Sequence, residues 1–429
     1  MSKLAILEGR TKTLRQKSYN SIGPDETAAA VRVLESRNLS GFVGRAGDAF
    51  LGGSYVRQLE KEFSEHFGIK HAVSFNSATT ALQAAVAALG IGPGDEVITS
   101  SYTMSATASA ILLNGAVPVF ADIHPESYCI DPESVHRNIT PRTKAIIAVN
   151  IFGGAADYDK LRKIAYENGL KIIEDNAQGP GGTYRGKFLA TIGDIGVFSL
   201  NVHKVIQCGE GGVLVTDDDK LAYRAQLVRN HGEVVLDDLR DNGEYIMGSN
   251  YRLSEVHAAI ASVQFKKLEQ LNRIRCEQAA YLTERLKQFA WLVPCRTPDH
   301  IKHVYYLYPL EFKSESLDIS RKIFAQAVNA EGFRVAEGYV KPIYLMPAYQ
   351  NKRMYPRSQF PFVSSEYSTT VSYTKGICPT TERLFEKDLL TTTIYQPPNT
   401  LEDIDAFCEV LKRIQEQVEE LKEYERQAV

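Results

Sequence analysis

The sequence is short of several things, and each shortage excludes a class of protein. Its six cysteines, at 129, 208, 276, 295, 378 and 408, include no CxxC pair, which excludes a zinc ribbon and a thioredoxin-type motif. They read as free thiols of a reducing cytoplasm, and no metal centre is expected. No apolar run approaches the roughly 18 residues of a membrane span. The opening Met-Ser-Lys-Leu-Ala-Ile-Leu-Glu breaks its apolar stretch too early for a signal peptide. Neither sign of charge dominates: 49 Lys+Arg against 52 Asp+Glu leave −3, which argues against nucleic acid or another polyanion as a partner of the whole chain. Repeats and low-complexity tracts are absent. No GxGxxG opens a helix after a first strand, so a dinucleotide-binding oxidoreductase does not fit.

What is present is core-forming material. Hydrophobic residues make up 44%, ample for a core, and a length of 429 residues suggests about two to four folding units at roughly 100–200 residues each. From about residue 55 to 217, short β-rich runs alternate with helical patterns. The expected strands are His71–Phe75, Glu96–Thr99, Val117–Phe120, Ala145–Asn150, Lys171–Glu174, Gly196–Leu200 and Gly212–Thr216. Helices are expected over Ala78–Leu89, Ser105–Leu113 and Tyr158–Asn168. This alternation predicts an α/β fold with a mostly parallel seven-stranded sheet flanked by helices. The unbroken run Ile-Ile-Ala-Val suits a strand buried on both faces. Ser254 to about Phe289 reads as one long amphipathic helical region, Tyr306–Phe312 as a strand, and the charged tail from Leu401 as a solvated helix. The expected organisation is an arm over 1–54 that joins a smaller α+β domain, a large domain over 55–265, and the rest of the small domain over 266–429.

Chemistry concentrates between Leu170 and Gly212. An apolar strand ends in Glu174 and Asp175, at the sheet edge where open α/β folds bind ligands. A second strand then delivers Ser199, His203 and Lys204 near the same edge. Desolvation disfavours an ammonium and lowers its pKa, as a Schiff-base lysine requires. An acid facing such a lysine suits pyridoxal 5'-phosphate (PLP), which needs a carboxylate at its ring nitrogen and a helix N-terminus for its phosphate. Asn76-Ser-Ala-Thr-Thr-Ala-Leu82 supplies that terminus. On these residues alone, a structural acid, a structural lysine and a simple helix cap at Thr79 and Thr80 remain open readings.

A series of motifs resolves the choice. Gly-Pro-Gly-Asp-Glu-Val-Ile (92–98), Pro-Val-Phe-Ala-Asp (118–122) and Ile-Thr-Pro-Arg-Thr-Lys-Ala-Ile (139–146) come first. Ile-Glu-Asp-Asn-Ala-Gln (173–178), Phe-Ser-Leu-Asn-Val-His-Lys (198–204) and Gly-Glu-Gly-Gly (209–212) follow, then Arg-Asn-His-Gly (229–232) and Asn-Tyr-Arg-Leu-Ser-Glu (250–255). In this order the chain resembles the DegT/DnrJ/EryC1/StrS family of sugar aminotransferases, which have the aspartate-aminotransferase fold (type I). The resemblance implies that Lys204 binds PLP and carries the proton of the 1,3-shift. It implies that Asp175 pairs with the ring nitrogen and Gln178 with the ring hydroxyl. Thr79, with Thr80, and Ser199 would hold the phosphate. Asn250 would reach the phosphate of the neighbouring subunit, which makes the protein a homodimer with shared active sites.

The resemblance also sets the substrate question. Glutamate or glutamine would donate the amino group and a keto sugar, most of all a nucleotide-linked one, would accept it. A free keto-cyclitol of the scyllo-inosose type is the alternative, and a PLP sugar dehydratase a more distant one. In the dehydratase branch a histidine replaces the lysine; here Lys204 is present and His203 is only its neighbour. Met104 stands where the family usually stacks an aromatic ring on the cofactor; its thioether can fill that role, or Tyr102 can. Glu210 is expected to be structural. Tyr344 occupies the histidine position of a Tyr-x-x-Pro-Leu-His stretch. Lys341 and the Arg229–His231 stretch are candidates for a substrate diphosphate, with His231 readable either as a substrate contact or as a core histidine.

Overall fold

The computed structural model describes residues 2–44, 47–232, 246–368 and 371–428. The chain forms β1 (His71–Phe75), β2 (Glu96–Ser100), β3 (Val117–Ala121), β4 (Thr143–Val149) and β5 (Lys171–Asp175). A small hairpin, β6 (Thr183–Tyr184) and β7 (Lys187–Phe188), precedes β8 (Ile195–Ser199) and β9 (Gly212–Thr216). Seven of these strands make one sheet in the order β1-β9-β8-β5-β4-β2-β3. The five from β8 to β3 run parallel, while β9 is antiparallel to both its neighbours.

The continuous apolar run of β4 follows from this layering. Successive side chains point to opposite faces. Ala145 and Ile147 meet the helix Ala78–Ala88, and Ile146 and Ala148 meet the cluster that includes Leu161 of the helix Tyr158–Asn168. Each face is therefore covered, and no alternating polar residue is tolerated.

A second layer follows: β10 (Leu292–Pro294), β11 (Ile301–Lys302), β12 (Tyr308–Phe312), β13 (Val335–Glu337) and β14 (Leu389–Thr392). All but β11 form an antiparallel sheet in the order β10-β12-β14-β13, whereas β11 extends the β6–β7 hairpin. The helices Leu268–Leu286, Arg321–Ala330 and Leu401–Glu416 cover it through Leu282, Phe324, Phe407 and Leu411. The N-terminal segment lies along this layer, with Lys12 N donating to Ala330 O at 2.8 Å and Arg15 N to Gly332 O at 2.8 Å. It then crosses to the first layer, where the helix Pro24–Ser36 packs on the helix Glu255–Phe265.

Three elements differ from expectation. The long helical region is two helices, Glu255–Phe265 and Leu268–Leu286, separated where Lys267 N bonds back only three residues to Gln264 O. β12 begins at Tyr308 because Tyr305 adopts φ 50°, a left-handed turn that an extended strand cannot contain. The helix from Leu401 is not merely a solvated face, since Ile404, Phe407, Leu411 and Ile414 are fully buried. All six thiols are unpaired. Among the described residues no helix is long and apolar enough to cross a membrane.

Glu174 shows how the sheet edge is fixed. Its carboxylate is fully buried and accepts the backbone N–H groups of Ala190 (2.8 Å), Ile192 (2.6 Å) and Gly193 (2.7 Å). These bonds pin the loop that leads into β8. Glu174→Ala would leave three buried donors without an acceptor and should cost about 3 kcal/mol, measured as a lowered urea midpoint.

Candidate active site

Strand register assembles the site. Phe75 of β1 lies opposite Gly212 of β9, and Gly212 lies opposite Ser199 of β8. The ends of β1 and β8 therefore meet at one row. A Cβ at Gly212 would fall 2.5 Å from Ala78 N, so only glycine lets the start of the helix Ala78–Ala88 approach this row. Asp175, at the end of β5, pairs with Val197, two residues before Ser199.

The start of that helix is an open donor site. Ser77 is its N-cap, with its hydroxyl accepting Thr80 N at 3.2 Å. Thr80 Oγ1 turns back to Asn76 Oδ1 at 2.7 Å. The N–H groups of Ala78 and Thr79 have no acceptor among the described residues, as expected for a first helical turn. Ser199 is buried beside them and accepts Asn201 N at 3.4 Å. The open N–H groups at the helix start and Ser199 thus share the row at Gly212, the kind of arrangement that can receive an anion.

Asp175 and Lys204 face one another electrostatically. The Asp175 carboxylate accepts Thr107 Oγ1 at 2.8 Å and Ala177 N at 3.2 Å. Burial raises its pKa, against the opposing pull of these two donors and of Lys204. Lys204 stands not at a strand end but on the loop between β8 and β9, with its N–H on Asn201 O at 2.9 Å. Burial lowers its pKa, and Asp175 acts in the opposite direction. Its Nζ lies 4.7 Å from the centre of the Tyr306 ring. The pair offers a retained acid and an amine that loses its proton more readily than a surface lysine.

Gln178 ties this edge to the second layer. Its Oε1 accepts Phe152 N at 2.7 Å, and its Nε2 donates to Tyr339 Oη at 2.9 Å. Tyr102 is fully buried and accepts Tyr339 N at 2.8 Å, so it acts as scaffold. Met104 is 57% exposed and is the free side chain of the two. His203 is exposed. Asn201 Nδ2 donates to Glu210 Oε1 at 3.0 Å across the loop.

The remaining candidates fall elsewhere. Asn250 is exposed; its Oδ1 accepts Arg252 Nε at 2.8 Å, and its carbonyl accepts Asn76 Nδ2 at 3.4 Å, beside the helix start. His231 is exposed at φ 70° with Nε2 3.2 Å from an Arg252 nitrogen, so it is no core histidine. Arg229 is fully buried: it donates to Glu60 at 2.6 Å and lies over the Phe42 ring, which removes it from any role in gripping substrate. Tyr344 is also fully buried, among Phe120, Tyr349 and Tyr373, and its hydroxyl donates to Glu382; it does not reach the cleft. Lys341 is exposed.

Thr107, Tyr306 and Tyr339 complete the site without having been singled out as site residues. Thr107 lies at the start of the helix Ala106–Leu113, its N–H on Met104 O at 3.3 Å, and its closeness in sequence to Met104 was the available signal. Tyr306 and Tyr339 come from the second layer; no local pattern announces Tyr306, whereas Tyr339 opens the Tyr-Val-Lys-Pro-Ile-Tyr stretch whose last residue, Tyr344, was the one singled out.

Comparison with known proteins agrees with this arrangement. Residues 43–382 match the model of the DegT/DnrJ/EryC1/StrS aminotransferase family. The chain is 35% identical over 376 residues to L-glutamine:scyllo-inosose aminotransferase of Streptomyces griseus, covering 85% of this chain and 87% of that one. It is 35% identical over 301 residues to GDP-perosamine synthase of Caulobacter vibrioides, covering 69% and 79%. Among solved structures, DesV of S. venezuelae in complex with a ketimine intermediate superposes with TM-score 0.76 at 29% identity, over 91% of this chain and 94% of that one. The chain belongs to the DegT/DnrJ/EryC1/StrS aminotransferase family, a family of PLP-dependent enzymes.

Proposed function

We propose that this chain binds PLP and uses it to move an amino group from glutamate or glutamine to the ketone of a sugar, in amino-sugar biosynthesis. The observation that carries the reading is the buried Asp175 opposite Lys204, at the same sheet edge as an open helix N-terminus. Bound PLP supplies an electron sink for breaking the C–H bond beside the amine. Asp175 keeps the ring nitrogen protonated. The free N–H groups of Ala78 and Thr79, the Thr79 hydroxyl and Ser199 bind the phosphate, while Thr80 shapes the turn. The second Nε2 hydrogen of Gln178 is available to the ring oxygen, and Met104 covers the ring. Lys204 Nζ holds the cofactor between turnovers, then takes and returns the proton.

Two substrate classes fit. The likeness to GDP-perosamine synthase supports a nucleotide-linked keto sugar, with Lys341 and His231 as the polar groups left to meet it. The burial of Arg229 against Glu60 favours the second, a free keto-cyclitol, because it takes a cation away from any diphosphate. The likeness to a scyllo-inosose aminotransferase points the same way. Six unpaired thiols support a cytoplasmic location. The exposed apolar side chains Val31, Leu34, Leu39 and Val43 support a homodimer.

The substrate reading is tested by loading the enzyme with glutamate, so that its visible band is bleached, and offering each ketone in turn. A GDP- or TDP-linked keto sugar that restores the band supports the first class. Restoration by scyllo-inosose alone, with no inhibition by GDP, UDP or TDP, supports the second. If neither ketone restores the band, transamination of sugars is refuted.

Shared active sites make a further prediction. Lys204→Ala and Asn250→Ala proteins should each be inactive or nearly so, and mixing them should recover activity. One site of each hybrid dimer then regains both residues. Absence of recovery after proven subunit exchange would place Asn250 outside the partner's site.

A further inference from the structure

Lys204 sits on a loop, outside the hydrogen-bond ladder that fixes Asp175 and Ser199. Something else must hold its amine in place. Two contacts flank it. On the chain side, the carbonyl of the next residue, Val205, accepts Tyr19 Oη at 2.5 Å. On the amine side, the Tyr306 ring lies 4.7 Å from Nζ.

One buried side chain joins these contacts. The Arg275 guanidinium lies 4.4 Å from the centre of the Tyr19 ring, and its NH1 donates to the carbonyl of Tyr305 at 3.4 Å. Arg275 is only 2% exposed. It forms no ion pair among the described residues, and its Nε is buried without an acceptor. A buried guanidinium with no carboxylate to satisfy it is costly to keep. The Tyr305–Tyr306 backbone is fixed further by Tyr306 N on Phe152 O at 2.7 Å and by Gln396 Nε2 on Tyr306 O at 2.8 Å. The contacts therefore close a ring: Lys204, the Tyr306 ring, the Tyr305 carbonyl next to it in the chain, Arg275, Tyr19, Val205, and back to Lys204.

The ring spans three parts of the chain that are far apart in sequence. Tyr19 belongs to the N-terminal segment, which is anchored on either side: Gln16 Nε2 donates to Thr393 Oγ1 at 2.6 Å, and Ser21 Oγ donates to Gln264 Oε1 at 2.6 Å. Gln264 Oε1 also accepts Gln207 N at 3.3 Å, three residues past Lys204. The segment thus meets the lysine loop at two points, directly through Tyr19 and by way of Gln264.

We propose that Tyr19 and Arg275 are positioning residues for Lys204: the Tyr19 hydroxyl holds the loop through Val205, and Arg275 braces the Tyr19 ring and, through the Tyr305 carbonyl, the Tyr305–Tyr306 backbone whose Tyr306 ring lies beside the amine. This rests on the reading of Lys204 as the residue that binds PLP. A displacement of about 1 Å in a reacting group is enough to cost about a hundredfold in rate, so the loss should fall on kcat rather than KM.

The test uses full-length enzyme loaded with PLP. Tyr19→Phe removes the hydroxyl and keeps the ring beneath Arg275. Its glutamate half-reaction, followed by stopped-flow bleaching of the visible band, should slow about tenfold or more, with the KM for glutamate within about twofold of wild type. The pH midpoint of the visible band should shift, because that band reports the environment of the lysine nitrogen. Arg275→Lys keeps a cation over the ring and should retain more of the rate than Arg275→Met. Half-reaction rate and spectral midpoint both at wild-type values in folded Tyr19→Phe protein would overturn the proposal. So would a lowered urea midpoint with neither of the other two changed, since that is a structural role alone. Borohydride reduction of the wild type separates the two readings: cofactor fixed elsewhere than Lys204 overturns the active-site reading and this proposal together, whereas fixation at Lys204 with an unaffected Tyr19→Phe rate overturns this proposal alone.

Discussion

The buried carboxylate of Asp175 is the constraint on which the site turns. It sits at the end of a central parallel strand, with Thr107 and Ala177 as its donors among the described residues, and burial raises its pKa. The sign of the consequence is definite. A carboxyl whose folded pKa is raised stabilises the fold most below its unfolded value, and that contribution is lost as pH rises through the folded value. Burial therefore disfavours the ionised form of Asp175 in the protein without cofactor. A protonated ring nitrogen set against Asp175 would relieve this cost, and on our reading cofactor affinity and electronic activation come from the same side chain.

The surroundings of Asp175 are built to keep it there. Its neighbour Glu174 is equally buried but is spent on three backbone donors, so two adjacent acids have separate tasks. Gly212 allows the helix Ala78–Ala88 to start against the sheet. Gln178 and Tyr102 fasten Tyr339, and with it the second layer, over the edge. Lys204 is less constrained by the sheet than either acid and depends on contacts from Tyr306 and the segment around Tyr19.

Most of the large sheet was legible because buried parallel strands and amphipathic helices have strong local signatures; β1, β9 and the helix Tyr158–Asn168 match their expected limits. The candidate site could be proposed from sequence where one short stretch carries its residues, as in 173–178 and 198–204. It was opaque where chemistry depends on contacts between distant segments. Nothing local distinguishes Tyr344, a buried phenol bonded to Glu382, from a tyrosine at the substrate. Nor does Arg229 reveal that Glu60 lies against it, 169 residues away. The order of the segment before the helix Pro24–Ser36 comes from partners such as Thr393, Asn399 and Val205, which no local periodicity announces.

The central claim is that Lys204, opposite Asp175, is the amine that holds PLP. Borohydride reduction of the PLP-loaded protein, followed by peptide mapping, tests it most directly. The account predicts one modified peptide, with the reduced cofactor on Lys204, and no modification in Lys204→Ala protein. Cofactor fixed to another lysine in the wild type would contradict it.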